Sequence, residues 1–156
     1  MNRLISATPA LGAFVLGALM AQGGWTTYSS EKYGFSMLIP QGTRMADKEF
    51  GNGWAGAYGN HEGVEFSGIA KLEIAEEKDI IRFGVQHTGI GEDHWDLVDQ
   101  GQDFKVYKAQ DGNKVLLAAV VVGTKAGFLL FLKTTDGDLK QHKADYEKWY
   151  KSVKIK

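Results

Sequence analysis

Hydrophobic and polar positions alternate from Phe35 to Pro40, with Phe35, Met37 and Ile39 on one face and Ser36 and Leu38 on the other, which predicts a strand. Pro40 lacks the N–H that another ladder rung needs, so this strand ends there in a turn and lies close to a sheet edge. In the glycine-rich stretch that follows, FGNGWAGAYGNHEGVEF, strand period puts Gly53, Ala55, Ala57 and Gly59 on one side and Trp54, Gly56 and Tyr58 on the other. One side is therefore almost bare backbone, the mark of a place where something bulky comes close. A turn over Asn60–Gly63 leads into VEFSGIAKLE, where Val64, Phe66, Ala70 and Leu72 share a face, so the two stretches form a hairpin.

The period shifts in AEEKDIIRFGVQH, where Ile80, Ile81 and Val85 follow an acidic front, as in a short helix whose first turn complements its dipole. From Ile90 to Gln102 the chain is acidic and punctuated by glycine, and reads as a loop, or a loop with one short strand, anchored by Trp95, Leu97 and Val98. DFKVYKA, NKVLLAAVVVG and AGFLLFLKT then form three β-rich runs, with Asp111-Gly112 supplying tight-turn chemistry between the first two. Positions Val115–Val122 and Phe128–Leu132 are apolar without alternation, so both sides of the sheet must be covered there. The final segment supplies one cover: Leu139, Tyr146, Trp149, Tyr150 and Val153 recur at helical spacing, with Asp138 as the expected cap. Tyr146 and Trp149 are expected to lie over the bare backbone of Gly53, Ala55 and Ala57, since large rings against missing side chains fill space at native density. The fold class that follows is α+β, an α-β-α sandwich around a central, mostly antiparallel sheet of about six strands.

The first residues differ in composition from the rest. Arg3 is followed by an apolar run over Leu11–Ala21, small residues stand at Ala21 and Gly23, and no acid occurs before Glu31. This is the layout of a secretory signal, 1–23, cut between Gly23 and Gly24 to leave one domain over 24–156. The alternative is an uncleaved anchor, because Leu4–Ala21 approaches the ~18 residues of a minimal spanning helix; membrane contact is expected only through that segment. The whole chain has 18 basic and 19 acidic side chains, and loss of Arg3 leaves 17 against 19. A mildly acidic surface of this kind gives no reason to expect nucleic acid as a partner. The absence of cysteine excludes a disulfide framework and thiol chemistry, and a domain of this size can rest on its own core, which suits a periplasmic or secreted location.

Candidate chemistry is sparse. His87 and His94 flank TGIGED and His61 precedes Glu62, but these spacings match no established metal-ligand pattern, so the histidines read as surface groups in polar loops and no metal or cofactor is expected. His142, between lysines, reads as solvated. Ser67 before Gly68 lies in a strand without the spacing of a nucleophile elbow. The carboxylate pairs Glu76–Glu77 and Asp93–Asp96 read as a helix start and a solvated loop, and no reaction is specified.

The opening YSSEKYGFSMLIPQG, the meander after it and the amphipathic helix running into SVKI together resemble the PsbP-like family. The residues that carry the resemblance are Tyr33, Gly34, Phe35 and Pro40 at the front, with Leu129–Lys133 and Trp149–Ile155 at the back. Where that family usually has a tryptophan shortly after the proline, this chain has QGTRM. The resemblance implies the α-β-α sandwich and a non-enzymatic role. The family includes the extrinsic photosystem II protein, a nuclear-import factor that binds the Ran GTPase, and bacterial members of unknown role, and its members dock on larger assemblies without a shared active site. The expectation is therefore an exported, non-enzymatic accessory or assembly factor that binds a protein partner. The alternative is a small-ligand or glycan-binding module in which Trp54 and Tyr58 give rigid contact area and His61 a polar contact.

Overall fold

The computed structural model describes residues 24–156, so the signal segment expected over 1–23 lies outside the described residues. The strands are β1 (Trp25–Ser30), β2 (Phe35–Pro40), β3 (Ala46–Gly51), β4 (Trp54–His61), β5 (Val64–Lys71), β6 (Trp95–Gln100), β7 (Phe104–Asp111), β8 (Lys114–Val122), β9 (Gly127–Thr135) and β10 (Lys154–Ile155). The helices are α1 (Glu77–Thr88), α2 (Asp136–Gln141) and α3 (Lys143–Ser152), and one 3₁₀ turn at Glu92–His94 leads into β6. The protein is α+β. Its main sheet has seven strands in the order β3-β4-β5-β9-β8-β7-β6, every neighbouring pair antiparallel, and a second sheet has the order β1-β2-β10.

β8 and β9 are the doubly apolar runs of the sequence and occupy the middle of the main sheet. One side, with Leu116, Ala118, Val120, Leu129 and Phe131, packs under Ile80 and Ile81 of α1. The other side, with Leu117, Ala119, Leu130 and Leu132, packs under Phe35, Met37 and Ile39 of β2 and Tyr146 and Trp149 of α3. Both sides are covered, as the unbroken apolar runs required. The second cover is part sheet and part helix, because a ten-residue α3 is about 15 Å long while the outer strands of a seven-stranded sheet stand about 29 Å apart. β2, expected near an edge, is the central strand of the small sheet, with Pro40 as its last residue.

The bare strip is real, but a different ring fills it. Ala57 pairs with Gly68 on β5, and a Cβ at Gly68 would lie 2.3 Å from Phe35 Cε1. Phe35 thus covers the gap assigned above to Tyr146 and Trp149; Trp149 instead meets Phe66 edge to face at 6.4 Å. Gly53 belongs to the turn before β4, and Leu72, expected in the core, lies beyond the end of β5 and is 61% exposed.

α1 begins where Asp79 accepts the Glu76 N–H at 3.0 Å and ends at Gly89, whose φ of 76° closes the helix by a bond to Val85 O. Gly84 inside it is a contact point: a Cβ there would lie 2.5 Å from Trp95 Cη2. The final helix is broken into two. Thr135, not Asp138, is the cap of α2, its Oγ1 accepting the Asp138 N–H at 3.2 Å.

Candidate functional site

Trp54 and Tyr58 leave β4 on the α1 side of the main sheet, but at different depths. Trp54 is 5% exposed and stacked on Phe83 with centroids 4.3 Å apart, so it is part of the core. Tyr58 is 40% exposed and lines a groove of about 220 Å³ with Lys48, Phe50, His87 and Lys133. Lys48 Nζ stands 5.5 Å from the Phe50 centroid and 5.8 Å from that of Tyr58, holding a cation over both rings.

His87, read from the sequence as a loop histidine, sits in the last turn of α1. Its ring is stacked on Phe83 at 5.6 Å and meets Phe50 edge-on at 5.1 Å. Partial removal from water pushes its pKa below the ordinary histidine value, Glu65 opposes that and Lys133 and Lys48 add to it, so the groove presents a neutral imidazole at pH 7. Glu65 and Lys133 pair at 3.3 Å along one wall.

His61 is elsewhere. At the end of β4 it projects to the opposite side of the sheet and lines a cavity of about 300 Å³ with Trp25, Phe66, Asp138, His142 and Tyr146. The three candidate residues therefore do not converge. The cavity brings in two groups to which the sequence reading gave other roles, Asp138 as a helix cap and His142 as a solvated side chain, which stand four residues apart on one helical face. The Asp138 carboxylate accepts from Thr134 Oγ1 at 2.6 Å, from the Tyr146 hydroxyl and from His142 Nδ1 at 3.0 Å. Burial works to raise its pKa, but the Thr134 and Tyr146 hydroxyls and the adjacent imidazole outweigh it and hold the carboxyl below the usual range. The same contact, after burial, pushes the Tyr146 phenol upward. His142 is thus tied down on one nitrogen, not free in solvent as its lysine neighbours suggested.

A third concavity, about 310 Å³, opens between α3 and the β7–β8 end of the sheet, lined by Phe104, Val121, Tyr150 and Val153. Tyr150 donates to Asp99 Oδ2 of β6 at 3.1 Å, and burial together with that carboxylate pushes its pKa up to about 12. Over α1, Tyr107 donates to Glu77 at 2.5 Å and Lys105 pairs with Glu77 at 2.9 Å, both of which lower the Glu77 pKa. Among the described residues no group of three or more His, Asp or Glu is placed to hold a metal ion, and no helix is long and apolar enough to cross a membrane.

No protein-family model matches the sequence, and no curated protein matches it. Solved structures do. Cyanobacterial PsbP (CyanoP) from Synechocystis sp. PCC 6803 is similar with a TM-score of 0.62 and 16% identity, over 94% of this chain and 99% of that one. A crystal structure from Bacteroides thetaiotaomicron VPI-5482 is similar with a TM-score of 0.51 and 17% identity, over 86% of this chain and 49% of that one, so the present chain spans about half of its length. Likeness at these identities is a likeness of fold, and it agrees with the layers derived from β8 and β9: the chain has a PsbP-like fold.

Proposed function

We propose that this protein is an exported, non-enzymatic accessory or assembly factor that works by binding a protein partner. The observation that carries the reading is the end-to-end likeness to cyanobacterial PsbP, 99% of whose chain is matched. Fold alone does not confer function, so two further features support the reading. The leading residues 1–23 have the composition of an export signal. In the cavity at His61 the polar groups Asp138, Tyr146 and His142 are spent on holding elements together. The test is cross-linking in the native cell envelope followed by mass spectrometry. Recovery of a distinct protein cross-linked to this chain is expected; recovery of self-cross-links alone overturns the proposal.

A second reading has one observation behind it. The groove at Tyr58 combines an exposed phenol, a cation at Lys48 and a neutral imidazole at His87, a mix suited to a small polar ligand such as an envelope saccharide. Titration with envelope saccharides, followed through the Tyr58 and His87 resonances, distinguishes it: no response removes this reading and leaves the first.

A further inference from the structure

The two rims of the main sheet are built differently. β3, at one rim, mixes signs in Asp47, Lys48 and Glu49 and is paired at a distance by Lys32 with Asp47 at 4.0 Å. β6, at the other rim, is bordered and interrupted by the acids Glu92, Asp93, Asp96, Asp99 and Asp103, with His94 beside Asp93 at 3.9 Å and no Lys or Arg between Arg82 and Lys105. On its inner side β6 faces Lys108 opposite Asp96 and Lys105 opposite Gln100, and Lys105 is already engaged by Glu77.

In the middle of this acidic rim sit two adjacent aliphatic side chains in solvent, Leu97 at 47% and Val98 at 49% exposure. The pairing with β7 slips there, Leu97 standing opposite Tyr107 and Asp99 opposite Val106, so Val98 has no cross-strand partner. At the end of the rim, Asp99 accepts from Tyr150, which lines the largely apolar concavity of Phe104, Val121 and Val153; the one cation in that lining, Lys151, is paired with Glu147 at 3.5 Å. Backbone valence, apolar area and one sign of charge thus coincide on one edge.

Charge alone on an edge strand serves to keep it from pairing with copies of itself, since a second β6 would bring acid against acid. That disfavours self-pairing at this rim and favours an occupant of opposite charge. We infer that the β6 rim is a docking edge for an extended segment of another protein in which Lys or Arg alternates with aliphatic residues. The basic residues meet Asp96 and its acidic neighbours, and an aliphatic residue covers Leu97 and Val98. The inference rests on the accessory-factor reading and states where and by what chemistry the partner binds.

The probe is a short capped peptide alternating lysine and valine, titrated into the protein while backbone amide resonances are recorded, with a glutamate–valine peptide as control. Shifts concentrated in residues 95–100 and around Phe104 and Tyr150, absent with the control peptide and at least about tenfold weaker in affinity for Asp96→Lys/Val98→Lys, are expected, as is weakening with added salt. Both substituted positions are exposed, and a melt of the variant within a few degrees of wild type confirms its fold. Shifts centred on β3 or on the His61 cavity, equal binding by the variant, or no binding overturns the inference. Envelope cross-linking separates the two levels: a partner captured equally by wild type and variant sinks the docking edge and keeps the accessory role, whereas no partner sinks both.

Discussion

The ring of Phe35 stands where the side chain of residue 68 would be: a Cβ on Gly68 would fall 2.3 Å from Cε1 and from Cζ of that ring. The contact joins the small sheet to the main one, and it makes the glycine at 68 a packing requirement. Gly68→Ala forces either the ring or strand β5 to move, and is expected to destabilise by about 1–3 kcal/mol in guanidinium unfolding. An unchanged midpoint would show that the ring can slide aside at no cost.

Trp149 is fully buried at the centre of the same layer, and its Nε1 has no hydrogen-bond partner among the described residues. Trp149→Ala is expected to cost about 3–5 kcal/mol through the cavity it leaves. Trp149→Phe keeps most of the ring volume and removes an unpaired buried N–H, so it should cost clearly less. Equal losses for the two variants would mean that the nitrogen has a partner in solution.

Trp54 and Tyr58, grouped by the sequence, should separate in experiment. Trp54→Ala removes a ring stacked on Phe83 in the core and is expected to cost about 3–5 kcal/mol by thermal or chemical unfolding. Tyr58→Ala removes an exposed side chain and should stay within about 1 kcal/mol. A large loss at Tyr58 with little at Trp54 would invert the burial described for β4.

Asp138 gives stability a pH dependence whose sign follows from its lowered pKa. The folded carboxyl ionises more readily than the unfolded one, so its stabilisation is complete above the unfolded value, near 3.9, and fades as pH falls through the folded value. Unfolding midpoints measured downward from about pH 5 should fall for wild type, and fall less for Asp138→Asn, which starts lower because it disturbs bonds from Thr134, Tyr146 and His142. Parallel curves for the two proteins would remove Asp138 as the source.

What the sequence discloses is set by how locally each feature is encoded. β8 and β9 are legible because Val115–Val122 and Phe128–Leu132 are apolar at every step, and that pattern has few meanings other than a strand buried on both sides. The two rims are not: ADKEF in β3 and WDLVDQ in β6 mix polar and apolar residues on both faces, and register slips at Glu49/Gly51 and Leu97/Asp99 break the two-residue period that would reveal them. The bare strip around Ala57 was visible, since the absence of side chains is written in the chain. Which ring fills it was not, because Phe35, Tyr146 and Trp149 are equally suitable by type and only the crossing of β2 decides among them. Among site residues, the chain alone suggested Trp54, Tyr58 and His61 as one group because they are near in sequence. A strand of eight residues sends them to two faces and two depths. The Asp138–His142 pair was within reach of helical spacing and was hidden by the lysines beside it.

β2 is held between β1 and β10, and the layer it belongs to is finished by Trp149 and by Lys154 pairing with Ser36. The lid over Phe35, Met37 and Phe66 is therefore assembled from pieces made first and pieces made last. A ribosome-bound chain that has emerged only through β9 has its main sheet in hand but one oily side still open. That side closes only after α3 and β10 arrive, so the two ends of the described chain complete the core together.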